Sequence, residues 1–170
     1  MAIDYTVIES VRQHLGDSPT GDDPMTRDFP LSGSEPQAPF LGPEYPYPFD
    51  CPGVAAHEWA VLVFSAFGVS ARTNTIRING VDLPGGIYQT PVTNVDDVGA
   101  MPMWHTETLL IPQDVLRATG NWLYLQSNSA NPSSPGGGTD RDDFIVDNVI
   151  VWFKVIDHGV NPPRKGPVEP

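Results

Sequence analysis

The stretch Trp104–Ser127 constrains the fold most, because its hydrophobic period changes within one short span. Thr106–Ile111 is β-prone and runs into Pro112, which cannot donate to a ladder, so a strand should end there. The same ring presets φ for a first helical residue. Gln113–Ala118 is therefore expected to form a short helical turn, with Val115 and Leu116 facing inward. Gly120 offers the left-handed residue that closes such a turn. From Trp122 the period is two: Leu123 and Leu125 point one way, Trp122, Tyr124 and Gln126 the other.

A second signal of this kind lies upstream. Ile76 and Ile78 alternate with Thr75 and Arg77 before a turn at Asn79-Gly80. Pro84-Gly85-Gly86 and the short run Ile87–Thr90 follow. Glu58–Val69 is apolar on both parities, as in a central strand covered on both faces. A buried helix is the competing reading, disfavoured by Gly68 and the β-branched content. Asp4–Val11 and Thr26–Leu31 read as further strands, and Val92–Met103 as a long connection without periodicity. Phe144–Ile156 is the longest strand. Its better core parity is Ile145, Val149, Val151, Phe153 and Val155, which places Asp147 on that face as an intruder.

The order of strand, Asn-Gly turn, Gly-Gly-aromatic, strand, Ile-Pro turn and Gly-Asn-x-Leu-x-Leu resembles the galactose-binding-domain-like jelly roll. That sandwich occurs in carbohydrate-binding modules and as the non-catalytic sugar-binding domain of many glycoside hydrolases. The resemblance covers roughly Trp59–Phe153 and specifies fold much better than function. The expected fold is all-β: an antiparallel jelly-roll β-sandwich in residues 1–156, with one short helical turn and a long Pro/aromatic arm at 30–58. A polar tail, 157–170, is expected to pack poorly. In the arm, prolines alternate with Phe40, Tyr45, Tyr47 and Phe49, a density that forbids a central strand. Such an arm either lies over its own sandwich or packs against a neighbouring subunit.

Composition enters as a filter. Nineteen prolines and sixteen glycines in 170 residues suit many short strands and argue against a helical bundle. A formal charge of −12, with Lys154 and Lys165 the only lysines, makes nucleic acid an unsuitable partner. No apolar run is long enough for a membrane span. The single cysteine, Cys51, permits no internal disulfide and has no neighbour that would make it a nucleophile. Met1–Ile8 lacks the basic region and apolar stretch of a signal peptide. A cytoplasmic protein and one exported as part of a larger assembly both fit.

Candidate functional residues fall into two sets. Trp122, Tyr124 and Gln126 on one strand face, with Trp104, His105 and Tyr88 near strand ends, form a candidate sugar platform: flat rings for C–H faces, polar groups for hydroxyls. The competing reading is that these rings are covered by the second sheet or by the arm. The second set is carboxylates. The resemblance matches Phe-Ile-Val-Asp-Asn-Val to a final strand whose aspartate helps hold a structural calcium (Ca2+). This points to Asp147, with Asp143, its loop neighbours Asp140 and Asp142, and Glu9 as further oxygen donors. The alternative is that Asp147 caps a turn or pairs with Arg141 or Arg77. No spacing for zinc, phosphate binding or a nucleophile elbow is present, so no catalysis is expected. Two functions remain: a non-catalytic, lectin-like glycan binder, and a structural subunit that meets other protein subunits, as in a homo-oligomer.

Overall fold

The computed structural model describes residues 2–17, 38–89, 92–95, 99–128 and 141–156. Two antiparallel sheets pack over one core. The first is ordered β1 (Ala2–Glu9), β11 (Phe144–Val155), β4 (Ala60–Phe67), β9 (His105–Ile111), with β2 (Gln13–Leu15) also on β11. The second is β3 (Glu44–Phe49), β10 (Asn121–Gln126), β5 (Thr75–Ile78), β6 (Val81–Asp82). A separate hairpin joins β7 (Val92–Val95) and β8 (Gly99–Pro102). The core interleaves Leu62, Phe64, Val149, Val151 and Phe153 of the first sheet with Tyr47, Ile76, Ile78, Leu123 and Leu125 of the second. Period-two burial along β9, β10 and β5 is what makes one face of each strand available to that core.

Several expectations hold. β9 stops at Ile111, directly before Pro112. Asn79 and Gly80, at φ 53° and 83°, form the two-residue turn between β5 and β6. Val115 and Leu116 are buried, Gly120 has φ 69°, and β4 is central. Cys51 is fully buried, and burial pushes its thiol up to about 12, so it is inert at neutral pH.

Other expectations are corrected. The helical turn after Pro112 is absent: Asp114 takes φ 63°, a left-handed conformation that a right-handed helix cannot propagate through. Among the described residues there is no helix, and so none long and apolar enough to cross a membrane. The Pro/aromatic segment is not an arm where it is described. Residues 39–42 run beside β2, with the His14 N–H donating to the Pro39 carbonyl (3.0 Å) and the Leu41 N–H to the His14 carbonyl (2.8 Å). Glu44–Phe49 then forms an edge strand, where Pro46 and Pro48 need no second partner. Tyr47 and Phe49 are core residues. Within the expected connection, Val92–Val95 and Gly99–Pro102 pair as the antiparallel strands β7 and β8. Thr26–Leu31 and the 157–170 tail lie outside the described residues.

The parity of β11 is also corrected. Asn148 sits at φ 53° in a bulge, and the register against β4 shifts between Asp147 and Ile150. One extra residue exchanges the two faces of a strand. Phe144 and Val146 therefore reach the core before the bulge, Val149, Val151 and Phe153 after it. Asp147 lands beside Ser65 on the outer side, so it is no intruder. β4 is likewise covered on one face only: Ala60, Leu62, Phe64 and Ala66 are buried, while Val61, Val63 and Ser65 are half-buried on the other.

Candidate functional site

The outer face of the second sheet carries a groove of about 500 Å³, lined by Glu44, Arg77, Asn79, Gly80, Arg117, Trp122 and Tyr124. Strand register assembles it. Tyr124 lies opposite Arg77 on one side and Pro46 on the other, and Gln126 lies between Thr75 and Glu44. Because Leu123 and Leu125 are drawn into the core, Trp122, Tyr124 and Gln126 must face outward together. Trp122 remains 43% exposed, and its ring also borders a smaller hollow of about 200 Å³ beside Pro48, Asp50 and Gly120.

The polar groups of Arg77, Glu44, Gln126 and Asn79 are held in place. Arg77 Nη2 donates to Glu44 Oε1 at 2.9 Å and to Gln126 Oε1 at 3.3 Å, while its guanidinium lies 5.7 Å from the centre of the Tyr124 ring. Thr75 Oγ1 donates to the same Gln126 oxygen at 3.1 Å. Asn79 accepts the Trp122 N–H at 3.0 Å and donates to the Val115 carbonyl at 2.7 Å and to Asn121 Oδ1 at 2.9 Å. Such side chains present a fixed pattern of donors and acceptors beside two aromatic rings, the composition of a small-molecule site.

Trp104, His105 and Tyr88 belong elsewhere, at the β9 edge of the first sheet. Glu107, buried on β9, accepts the Tyr88 N–H at 2.8 Å and contacts His105 Nε2 at 2.8 Å, while the buried His105 Nδ1 has no hydrogen-bond partner. Trp104 packs 5.4 Å from the Phe67 ring and carries the Arg12 guanidinium, 5.4 Å from its centre. The six candidate ligand residues therefore form two groups on different sheets. The register of β10 against β5 and β3 adds Arg77 and Glu44 to the first group, and the turns add Asn79 and Arg117; none of these is among the ligand residues expected from sequence. The shared parity of Arg77 with the outward residues of its own strand was the available signal.

The proposed calcium donors also separate. Asp147 pairs with Arg12 (3.5 Å), not with Arg141 or Arg77. Asp143, buried, pairs with His14 Nε2 at 3.2 Å. Glu9 accepts the Ser10 and Val11 N–H groups at 2.8 and 2.9 Å. Among the described residues, which exclude Asp140, no group of three or more His, Cys, Asp or Glu side chains is placed to hold a metal ion. Among the described residues these carboxylates are spread over separate partners rather than gathered round one point. Asp142 serves the fold: its fully buried carboxylate accepts hydrogen bonds from the Ser70 N–H and hydroxyl, the Ala71 N–H and the Asn74 amide.

No protein-family model and no curated protein matches the chain. Among solved structures it is similar to the catalytic unit of a thermostable GH87 alpha-1,3-glucanase from Streptomyces thermodiastaticus strain HF3-3, at 11% identity and a TM-score of 0.37. It is also similar to GH87 alpha-1,3-glucanase catalytic domains in complex with nigerose and with tetrasaccharides, at 16% identity and TM-scores of 0.37 and 0.38. The match covers 96–98% of this chain but only 28–30% of those chains. At these scores the likeness assigns neither family nor function. In its described residues the chain is an all-β sandwich.

Proposed function

We propose that this chain is a non-catalytic, lectin-like carbohydrate-binding module of the jelly-roll type, with its glycan seated in the groove of the second sheet. One observation carries the reading: an exposed Trp122 beside Tyr124, in a groove whose other walls carry amide, guanidinium and carboxylate groups, those of Asn79, Arg77 and Glu44 fixed by neighbours. A pyranose ring stacks its C–H face on such a ring while its hydroxyls exchange hydrogen bonds with the rim. Glu44 is the one carboxylate among the described residues lining the groove, which supports a non-catalytic reading, since glycoside hydrolysis uses a pair. Glycan-array screening followed by calorimetry on wild type and Trp122→Ala tests the proposal; no glycan bound at millimolar concentration ends it.

Calcium is a separable part of this reading. Binding at Asp147, Asp143 and Glu9 requires the ion to displace Arg12, His14 and two backbone N–H groups. The expected melting temperature is therefore the same in Ca2+ and in EDTA. A rise with Ca2+ would show that these partners yield and restore the metal to the proposal.

A second reading, assembly, is favoured by the outer face of the first sheet. Ile3, Tyr5, Val7, Trp59, Leu110 and Trp152 are all exposed there, with Tyr5 and Trp152 ring to ring at 4.9 Å. Their exposed parts leave on the order of 600 Å² of apolar surface, at or above what a monomer ordinarily shows and close to the roughly 800 Å² per partner of a stable interface. Charges at its margins are already paired, Lys154 with Glu58 at 2.7 Å and Arg12 with Asp147. Copies of a chain at −12 repel one another except across a neutral patch, so the occupant this face fits is a second copy, sheet against sheet. Light scattering at about 100 µM is expected to give a dimer, and Trp152→Glu a monomer. A wild-type monomer at that concentration removes this reading.

A further inference from the structure

The charge of the groove runs against that of the chain. The protein carries nine Lys and Arg against twenty-one Asp and Glu, yet the described residues lining this surface include two arginines and one carboxylate. The carboxylate, Glu44, is occupied by Arg77, whose Nε also lies 3.9 Å from Asp82. Arg77 is therefore neutralised twice over. Arg117 is different: its side chain is exposed and makes no ion pair or side-chain hydrogen bond among the described residues.

Its backbone, by contrast, is clamped. The Arg117 N–H donates to Asn121 Oδ1 at 2.8 Å, and its carbonyl accepts from Asn121 Nδ2 at 2.7 Å. Asn121 is fully buried and is itself braced by Asn79. The loop thus holds the base of Arg117 in place beside Trp122 while leaving the guanidinium unspent. A planar fork of N–H donors in that state matches a carboxylate by two parallel hydrogen bonds, an arrangement a sugar hydroxyl cannot reproduce.

We infer that the groove selects a uronic acid: a carboxylate-bearing sugar whose ring stacks on Trp122 and whose carboxylate is taken by Arg117. This rests on the carbohydrate reading above and narrows it to acidic glycans. The net negative charge of the rest of the surface opposes their approach in general, so the preference is local to the groove and depends on this one cation.

Calorimetry with oligogalacturonate and oligoglucuronate, against galactose and glucose oligomers of equal length, tests the inference. The acidic oligomers are expected to bind about tenfold more tightly at low salt, with the advantage shrinking as ionic strength rises. Arg117→Gln is expected to lower acidic affinity by about tenfold, and Arg117→Lys by less, because a point charge makes no fork. Both variants lie on an exposed side chain, and matching thermal melts establish that they fold. Equal binding of acidic and neutral oligomers, or a preference that survives in Arg117→Gln, overturns the inference and leaves the carbohydrate reading standing. Binding of none of the four oligomers to wild type overturns this inference; none from a full glycan array overturns the carbohydrate reading as well.

Discussion

Asp142→Ala is expected to destabilise the protein by about 3–5 kcal/mol, the largest effect of any single change considered. The carboxylate is fully buried and is the common acceptor for the segment that follows β4: the Ser70 N–H lies 3.1 Å from both of its oxygens, the Ser70 hydroxyl 2.5 Å, the Ala71 N–H 3.0 Å, and the Asn74 amide also donates. Its backbone ties in the other sheet, accepting the Ser127 hydroxyl at 2.5 Å and donating to the Asn128 carbonyl at 3.0 Å. Alanine removes the acceptor shared by the Ser70 and Ala71 N–H groups and the Asn74 amide, besides opening a cavity at a fully buried position. Urea titration would read the loss as a lower midpoint at unchanged slope. Burial raises the Asp142 carboxyl above its ordinary 3.8, against hydrogen bonds that favour the ionised form. The native state then binds this proton more tightly than the unfolded chain does. The contribution of Asp142 to stability falls as pH rises from 3.8 toward the native value, and Asp142→Asn should remove that slope. A flat Asp142→Ala result, within about 1 kcal/mol of wild type, would mean the loop does not depend on this acceptor.

Trp122→Ala is expected to abolish most glycan binding, by about 2 kcal/mol or some thirtyfold, with little change in stability. The ring is nearly half exposed on an outer face, so its truncation opens no core cavity. Trp104→Ala should do the reverse. That ring lies between Phe67 and the Arg12 guanidinium at the edge of the first sheet, so its loss should lower the melting temperature and leave binding intact. Binding that survives Trp122→Ala but disappears in Trp104→Ala would move the site to the β9 edge, beside His105 and Tyr88.

The strands and the faces of most of them were legible because alternation is local: Leu123 and Leu125 against Trp122, Tyr124 and Gln126 needs no knowledge of what lies opposite. The grouping of the candidate residues was not. Trp104 and Trp122 are close in sequence, yet the chain crosses from one sheet to the other between them. Asp147 misled for a related reason. A one-residue bulge at Asn148 exchanges the faces of β11, and a run of Val, Ile and Phe on both parities conceals where the exchange occurs. Likewise, Pro46 and Pro48 exclude a central strand but are compatible with an edge.

By itself, the sequence determined the extended class of the chain, the stops at Pro112, Asn79-Gly80 and Gly120, and the outward turn of Trp122, Tyr124 and Gln126. These follow from propensity, ring geometry and period, which act over a few residues. Only the tertiary structure decided which strands are neighbours. It thereby decided that Arg77 lies over Tyr124, that Arg117 stands beside Trp122 unpaired among the described residues, and that Asp142 ties the two sheets together. Pairing is set by burial of whole faces against each other, a property of the assembled layers that no single segment carries.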